Sequence, residues 1–191
     1  PYTTLFRSQC PTNLGTGMRA SVMLHLPALE KSRTIGRIAG NLSKLGLTIR
    51  GAYGEGSEPS GSLYQLSNQV TLGISEKAAI ENLENITKQL VSQEQQARER
   101  LAKSIDIQDS VSRSLGLLKS AMVMTHDEAL KLLSNVRFGI LSGQIKDVTA
   151  EVVDSLMEKI EPATLMVNSG KNLSAQERDI ERAKILREAL S

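Results

Sequence analysis

The spacing of apolar residues changes near Ser75, and this change constrains the fold more than any other feature of the sequence. Before Ser75, apolar and polar residues alternate with the two-residue period of β-strands, and glycines are clustered. After Ser75, apolar residues recur every three or four residues, which is the period of an α-helix. The sequence therefore predicts a mixed α/β region followed by a region that is helical throughout.

Strict alternation over residues 19–26 predicts the first strand. Since successive side chains of a strand point to opposite faces, Arg19, Ser21, Met23 and His25 are expected on one face. The other elements predicted in this region are a helix over 29–45, strands over 47–53 and 63–72, and a glycine-rich loop over 54–61.

The second region begins with a long helix that Ser75 is expected to cap. Two later helices begin with capping boxes, in which a Ser or Thr cap precedes a Glu by three residues: Thr125 with Glu128 and Ser174 with Glu177. Further helices are predicted over 108–123, 126–141, 149–160 and 175–190, with Pro162 and Gly170 interpreted as breaks.

Composition excludes several classes of protein. No stretch approaches the roughly 20 apolar residues of a membrane span, so an integral membrane protein is not expected. A single cysteine, Cys10, can form neither an internal disulfide nor a cysteine-based zinc site, which fits a reducing, cytoplasmic setting. Residues 1–75 carry seven Lys and Arg against three Asp and Glu, whereas residues 104–191 carry eleven against thirteen. The helical region therefore lacks the basic face that nucleic-acid binding requires.

Residues 1–8 have no start methionine and are too short and polar for a signal peptide. They resemble the translation of a sequencing adapter, and we interpret them as foreign to the natural polypeptide. An ordinary disordered terminus is the alternative.

Two segments of the first region have the composition of anion-binding loops. In Cys10–Arg19, glycines would let main-chain amides approach a ligand, and Arg19 offers a planar fork of donors for phosphate oxygens. No Gly-Lys-Ser/Thr follows, so this is not a Walker A loop. In Arg50–Glu58, an arginine and glycines precede the carboxylates Glu55 and Glu58, which match a guanidinium in geometry. The alternatives are a tight hairpin with a solvated arginine and an ordinary surface loop.

These two segments, together with Leu66-Ser67-Asn68, resemble the signature strings of the ATP:guanido phosphotransferases. The match is closest to the bacterial protein-arginine kinases, because Tyr53 and the short Gly-Glu-Gly-Ser-Glu loop stand where kinases of small metabolites carry an arginine and a histidine. The resemblance implies an α+β fold, with a partial antiparallel sheet and flanking helices followed by an all-α domain. It also implies that residues 9–103 belong to the catalytic domain and residues 104–191 to a helical domain for dimerisation and phosphoarginine sensing.

The resemblance also implies which residues form the catalytic site. Cys10 would lie beside the substrate guanidinium and tune it, and Glu58 would orient it; a buried inert thiol and a plain loop residue are the alternatives. ATP would bind with Mg²⁺ held mainly by the nucleotide, without an assigned protein ligand. The residues expected to line the ATP site are Arg19, Ala20, Ser21, Val22, Met23, Arg50, Gly51, Ala52, Tyr53, Gly54 and Glu55.

The last helix carries the string Arg-Asp-Ile-Glu-Arg-Ala, in which Arg178 and Arg182 share a face next to Asp179. The two cations could bind a phosphoryl group and the carboxylate a guanidino group. A solvated helix face with local ion pairs is the alternative. The string resembles the phosphoarginine-sensing motif of bacterial protein-arginine kinases, which implies an allosteric site.

The implied activity is transfer of the ATP γ-phosphoryl group to arginine side chains of proteins. A zinc-finger activator protein, a Clp-type unfoldase and homodimerisation are implied as partners, with neither nucleic acid nor membrane. In the family, the carboxylate that holds the substrate lies upstream of the Cys10 segment, so this chain alone is expected to lack appreciable kinase activity. The alternative is a non-catalytic module that binds nucleotide or phosphoarginine.

Overall fold

A computed structural model of the chain describes residues 15–52 and 60–191. The described residues form two compact units, an α/β unit and a helical unit. The α/β unit contains residues up to 52 together with Leu63–Glu94, and the helical unit contains Ser60–Ser62 and Gln95–Ser191. The expected α+β fold class is confirmed.

The α/β unit is built on a three-stranded antiparallel sheet. Its strands are β1 (Ser21–His25), β2 (Leu47–Gly51) and β3 (Leu63–Asn68), in the order β1-β3-β2. All three lie where alternation predicted them, although each is shorter than its predicted range. One face carries the buried residues Leu24, Tyr64, Leu66 and Leu47, which belong to the core.

The helix predicted over 29–45 is wrong as a single element. The structure has α1 (Pro27–Lys31) and α2 (Ile35–Lys44) instead. Arg33 adopts a left-handed conformation with φ 55°, and its N–H donates to the Glu30 carbonyl at 2.8 Å. Helix α1 therefore ends before α2 begins, although the apolar spacing in the sequence continues across the break.

A buried carboxylate supports the start of α1. Glu94, 4% exposed, lies on α3 (Glu76–Leu101) and accepts hydrogen bonds from the N–H groups of Ala28 and Leu29 at 2.8 and 2.9 Å. These N–H groups lack partners within the helix, so Glu94 replaces the missing side-chain cap. Ser75 caps α3 as predicted, since its hydroxyl accepts from the Ala78 N–H at 3.2 Å.

The helical unit contains the end of α3 and five further helices. They are α4 (Ile105–Ser120), α5 (His126–Leu141), α6 (Ala150–Lys159), α7 (Pro162–Ser169) and α8 (Ala175–Leu190). The capping box at Ser174 is complete, and the Thr125 hydroxyl accepts from the Glu128 N–H. Helix α7 was not predicted, because Pro162 was interpreted as a break. Pro162 in fact occupies the first turn of α7. An N–H at that position has no acceptor within the helix, so the missing N–H of proline costs no hydrogen bond there.

The core of the helical unit is continuous over α4, α5, α6 and α8. Gly139 of α5 allows α4 to pack closely against it, since an added Cβ would lie 2.4 Å from Val111 Cγ1. The three-residue turn Ser60–Ser62 packs on α5, where the Ser60 hydroxyl donates to Asp127 at 3.2 Å. Among the described residues, no helix is long and apolar enough to cross a membrane.

Candidate functional site

The face of the sheet opposite the core is polar and carries both arginines predicted to bind phosphate. The register pairs Gln65 of β3 with Met23 on one side and with Arg50 on the other. Neighbouring strands lie about 4.8 Å apart, so β1 and β2 present their side chains across a surface about 10 Å wide. Two residues further along β3, Ser67 is paired with Ser21 of β1 and with Thr48 of β2.

Arg19 lies just before β1 and reaches over this face. Its side chain is exposed, and its Nη2 donates to the hydroxyl of Ser67 at 3.2 Å. Ser67 itself is completely buried, so its hydroxyl is held in place by the sheet. The contact orients the guanidinium of Arg19 toward the middle strand. Its other N–H donors have no hydrogen-bond partner among residues 15–52 and 60–191.

Asn68, only 5% exposed, fixes the main chain that carries Arg19. Its amide oxygen accepts from the Ala20 N–H at 2.7 Å, and its Nδ2 donates to the Met18 carbonyl at 3.0 Å. The two bonds bracket Arg19 on both sides. Neither Ser67 nor Asn68 was predicted to have this role, although both lie in a string that had been singled out for its resemblance.

Gly15, which precedes Arg19 in the described part of the chain, packs closely against main chain of the same unit. Gly15 has φ +74°, and a Cβ added there would lie 2.1 Å from the carbonyl oxygen of Thr71. The same carbonyl accepts from the Thr16 N–H at 3.1 Å. Gly15 is therefore required for packing against the segment after β3, whereas Gly17 is exposed.

The remaining residues predicted for the nucleotide site present only main chain to the polar face, follow β2, or lie outside the described residues. Ala20, Val22 and Gly51 alternate onto the opposite side of the sheet from Arg19, so only their main chain borders the polar face. Ala52 follows β2 and donates its N–H to the Leu63 carbonyl at 3.1 Å. The predicted residues Cys10, Tyr53, Gly54, Glu55 and Glu58 lie outside the described residues.

The polar face does not fit a protein-bound metal ion. The paired positions described above contribute arginine, serine, threonine, methionine and glutamine, with no carboxylate. Within residues 15–52 and 60–191, no group of three or more His, Cys, Asp or Glu side chains could hold a metal. The described residues therefore supply no ligand set for Mg²⁺, which prefers oxygen ligands and carboxylates.

A second cluster of predicted residues lies on α8 in the helical unit. Arg182 is 1% exposed and donates from Nε to the Ile160 carbonyl at 3.1 Å and from Nη1 to the Met124 carbonyl at 2.9 Å. Its Nη1 also contacts Oδ1 of Asp179 at 2.6 Å. The solvated helix face considered as an alternative is therefore wrong for Arg182, which is an internal cation.

Arg178 and Asp179 are more accessible than Arg182. Asp179 is 27% exposed at its side chain, and Arg178 is half-buried with Nη1 donating to the Leu173 carbonyl at 3.0 Å. The main-chain carbonyl of Asp179 accepts from the Met124 N–H at 3.1 Å. The loop between α4 and α5 is thus bound to α8 beside these two residues, which the helical spacing alone did not indicate.

Comparison with known proteins matches both parts of the chain. Residues 6–97 match the ATP:guanido phosphotransferase C-terminal catalytic domain, and residues 104–191 match the C-terminal domain of the protein-arginine kinase McsB. The chain is 51% identical over 188 residues to a protein-arginine kinase of Halothermothrix orenii, covering 97% of this chain and 54% of that relative. It is 48% identical over 183 residues to one of Clostridium novyi, covering 95% and 53%. The chain spans about half the length of the curated relatives it matches.

Proposed function

Because the chain belongs to the ATP:guanido phosphotransferase family, we propose that it is part of a protein-arginine kinase, which transfers the γ-phosphoryl group of ATP to arginine side chains of proteins. In this proposal, residues 9–103 form part of the catalytic domain and residues 104–191 form a helical domain that dimerises and binds phosphoarginine. Residues 1–8 are foreign. The protein acts in the cytoplasm.

The observation that carries the catalytic proposal is the polar face of the sheet, with Arg19 at one edge and Arg50 at the other. Phosphoryl transfer requires cationic donors around the phosphate oxygens, because negative charge is spread over them in the transition state. Arg19 supplies such a donor from a main chain that Asn68 holds on both sides. A rigid support lowers the cost of ordering the side chain when the nucleotide binds.

The other assignments rest on the family resemblance. Cys10 tunes and Glu58 orients the guanidinium of the substrate arginine, while Tyr53, Gly54 and Glu55 complete the nucleotide site. Mg²⁺ enters with ATP, bound to its phosphates. Protein substrates, a zinc-finger activator, a Clp-type unfoldase and a second copy of the chain are the proposed partners.

Nucleotide binding by this chain tests the sheet face directly. We expect Arg19→Met to weaken ATP binding by about tenfold or more, because charge-assisted bonds to phosphate contribute roughly 1.5–3 kcal/mol. The matched control is Arg37→Met, which removes an exposed arginine from α2 without touching the polar face. Titration with a fluorescent ATP analogue gives both affinities, and equal affinities for the two variants would refute the assignment of Arg19.

Activity is tested separately, with ATP and an arginine-rich protein as substrates and acid-labile phosphate on arginine as the product. We expect it from the protein at the full length of its relatives and not from these 191 residues alone. Robust activity of the 191-residue chain would contradict the second expectation. Absence of activity from both would favour the non-catalytic binding module.

A further inference from the structure

A groove runs along α3 in the α/β unit. It has two parts, of about 410 Å³ and about 280 Å³, and Leu45, the residue after α2, lines both of them. The second part is also lined by Leu47, which lies on the core face of the sheet. Gln65 of the polar face lies on the other side, because it is three positions from the partner of Leu47 in β3. The groove therefore belongs to the layer of helices that covers the core.

The groove is apolar and open to solvent. Its deepest side chains include Leu42 of α2 and Leu90 of α3, which are 4% and 3% exposed. Leu45 and Val70, which also line it, are 56% and 46% exposed. Exposed apolar side chains that share one groove are typical of a surface that another molecule covers.

One stripe of α3 forms the length of the groove. It contains uncharged residues that recur every three or four positions: Ala79, Asn82, Ile86, Gln89 and Gln93. At 1.5 Å per residue, the stripe is about 21 Å long, which is the length of a helix of about 14 residues. A groove between helices with an apolar floor and a polar rim suits an amphipathic helix, which inserts its apolar face.

The charges that line the groove have one sign. Arg37 and Lys44 of α2 line it, and no Asp or Glu does so among the described residues. Both side chains are exposed, and within residues 15–52 and 60–191 neither makes an ion pair or a side-chain hydrogen bond. The two cations are therefore available to carboxylates of an occupant.

Charged residues of α3 lie away from the groove. Lys77, Glu81, Glu84 and Lys88 fall on the opposite side of the helix from the uncharged stripe, because each residue advances by roughly 100°. Lys77 and Glu81 form an exposed ion pair at 3.8 Å. These four charges cancel one another, so the groove keeps the positive charge that α2 provides.

We propose that the groove between α2 and α3 is a docking site for an acidic amphipathic helix of a partner protein. Apolar side chains at every third or fourth position of that helix cover Leu45 and the stripe of α3, and its carboxylates pair with Arg37 and Lys44 at the rim. The site goes beyond the proposed function, because ATP is assigned to the other side of the sheet.

The sign of the charge is tested with two synthetic peptides. The first is a fluorescein-labelled helical peptide of about 14 residues, with leucine at helical spacing and glutamate at the flanking positions. The second has lysine in place of every glutamate. We expect the 191-residue chain to bind the acidic peptide about tenfold or more tightly than the basic one, measured by fluorescence polarisation. Equal affinities, tighter binding of the basic peptide or no binding of the acidic peptide would overturn the inference.

Substitutions at exposed positions locate the binding surface without disturbing the core. Leu45→Glu should weaken binding of the acidic peptide by about tenfold or more, because it places a like charge in the apolar floor. Val91→Glu is the matched control, since Val91 is 40% exposed on α3 and does not line the groove. Circular dichroism checks that both variants are folded, and equal losses of affinity in the two would overturn the assignment.

A second pair of variants tests the rim. Lys44→Glu should weaken binding of the acidic peptide by about fivefold and strengthen binding of the basic peptide. Lys88→Glu is the matched control, because it reverses an exposed charge on the opposite side of α3. We expect it to change both affinities by less than about twofold. The same response from the two variants would show that net charge, and not the groove, determines binding.

Two other occupants of the groove give different results. A second copy of the chain would produce self-association that Leu45→Glu abolishes, measured by sedimentation velocity. The remainder of a longer polypeptide would prevent the acidic peptide from binding to the protein at the full length of its relatives. Either result would overturn the inference. ATP binding by the polar face is measured separately and should be unchanged in Leu45→Glu, so failure of the docking site leaves the proposed function standing.

Discussion

Arg19 of the α/β unit and Arg182 of the helical unit have opposite surroundings. In the α/β unit, Arg19 is exposed on a sheet face, with one hydrogen bond to a side chain and an anchored main chain. In the helical unit, Arg182 is internal and joins the end of α6, the α4–α5 loop and α8 through main-chain carbonyls. Both occur in strings that resemble ligand-binding motifs. The difference shows that membership of a motif does not separate an exposed arginine from an internal one.

The largest difference between the units should appear when each arginine is replaced by methionine. Arg182→Met should lower the free energy of unfolding of the helical unit by about 3–5 kcal/mol, because Asp179 and two carbonyls lose their partner. Arg19→Met should change stability by less than about 0.5 kcal/mol. Urea denaturation followed by circular dichroism and by hydrogen exchange measures both, and similar losses in the two variants would remove the distinction.

A smaller effect should come from the buried asparagine of each unit. Asn68→Ala removes bonds to Ala20 and Met18 and should cost about 2–3 kcal/mol, since each net hydrogen bond contributes about 1 kcal/mol. It should also weaken ATP binding, because the main chain on both sides of Arg19 is released. Asn135→Ala, which loses a bond to Ser114 in the helical unit, should cost stability without changing ATP affinity. Unchanged ATP affinity in Asn68→Ala would show that Arg19 is positioned by other contacts.

The smallest expected differences concern pH. Burial, and then the charge of Glu30, raise the pKa of Tyr64 above its ordinary value of 10.0. The neutral phenol is favoured in the folded unit, so its contribution to stability is complete below pH 10.0 and is lost as the pH rises further. Tyr64→Phe should reduce the alkaline sensitivity of the α/β unit, measured as the urea midpoint against pH.

In the helical unit, stability depends on pH in the opposite direction. The hydrogen bonds with Ser174 lower the pKa of Glu177 below its ordinary value of 4.5. The carboxylate therefore stabilises α8 above pH 4.5, and this contribution is lost as the pH falls through the lowered pKa. Ser174→Ala should reduce the acid sensitivity of the helical unit and leave the alkaline response of Tyr64 unchanged; a shift in both responses would show that the two titrations are coupled.

Local features of the fold were predictable because they depend on residues close in sequence. Alternation before Ser75 predicted the shared face of Arg19, Ser21 and Met23, and the capping boxes predicted the starts of α5 and α8. The break at Arg33 was missed because apolar spacing does not report a left-handed residue inside it. Helix α7 was missed because proline marks both the end of one helix and the first turn of the next.

The sequence by itself determined the order of the elements, the polar face of the sheet and the strings that resemble a known family. Only the tertiary structure decided which polar side chains remain accessible. Arg178 and Arg182 share one face of one helix, and yet Arg182 is internal because α6 and the α4–α5 loop converge on it. Burial depends on elements that are distant in sequence, so helical periodicity could place the two arginines together but could not distinguish their surroundings.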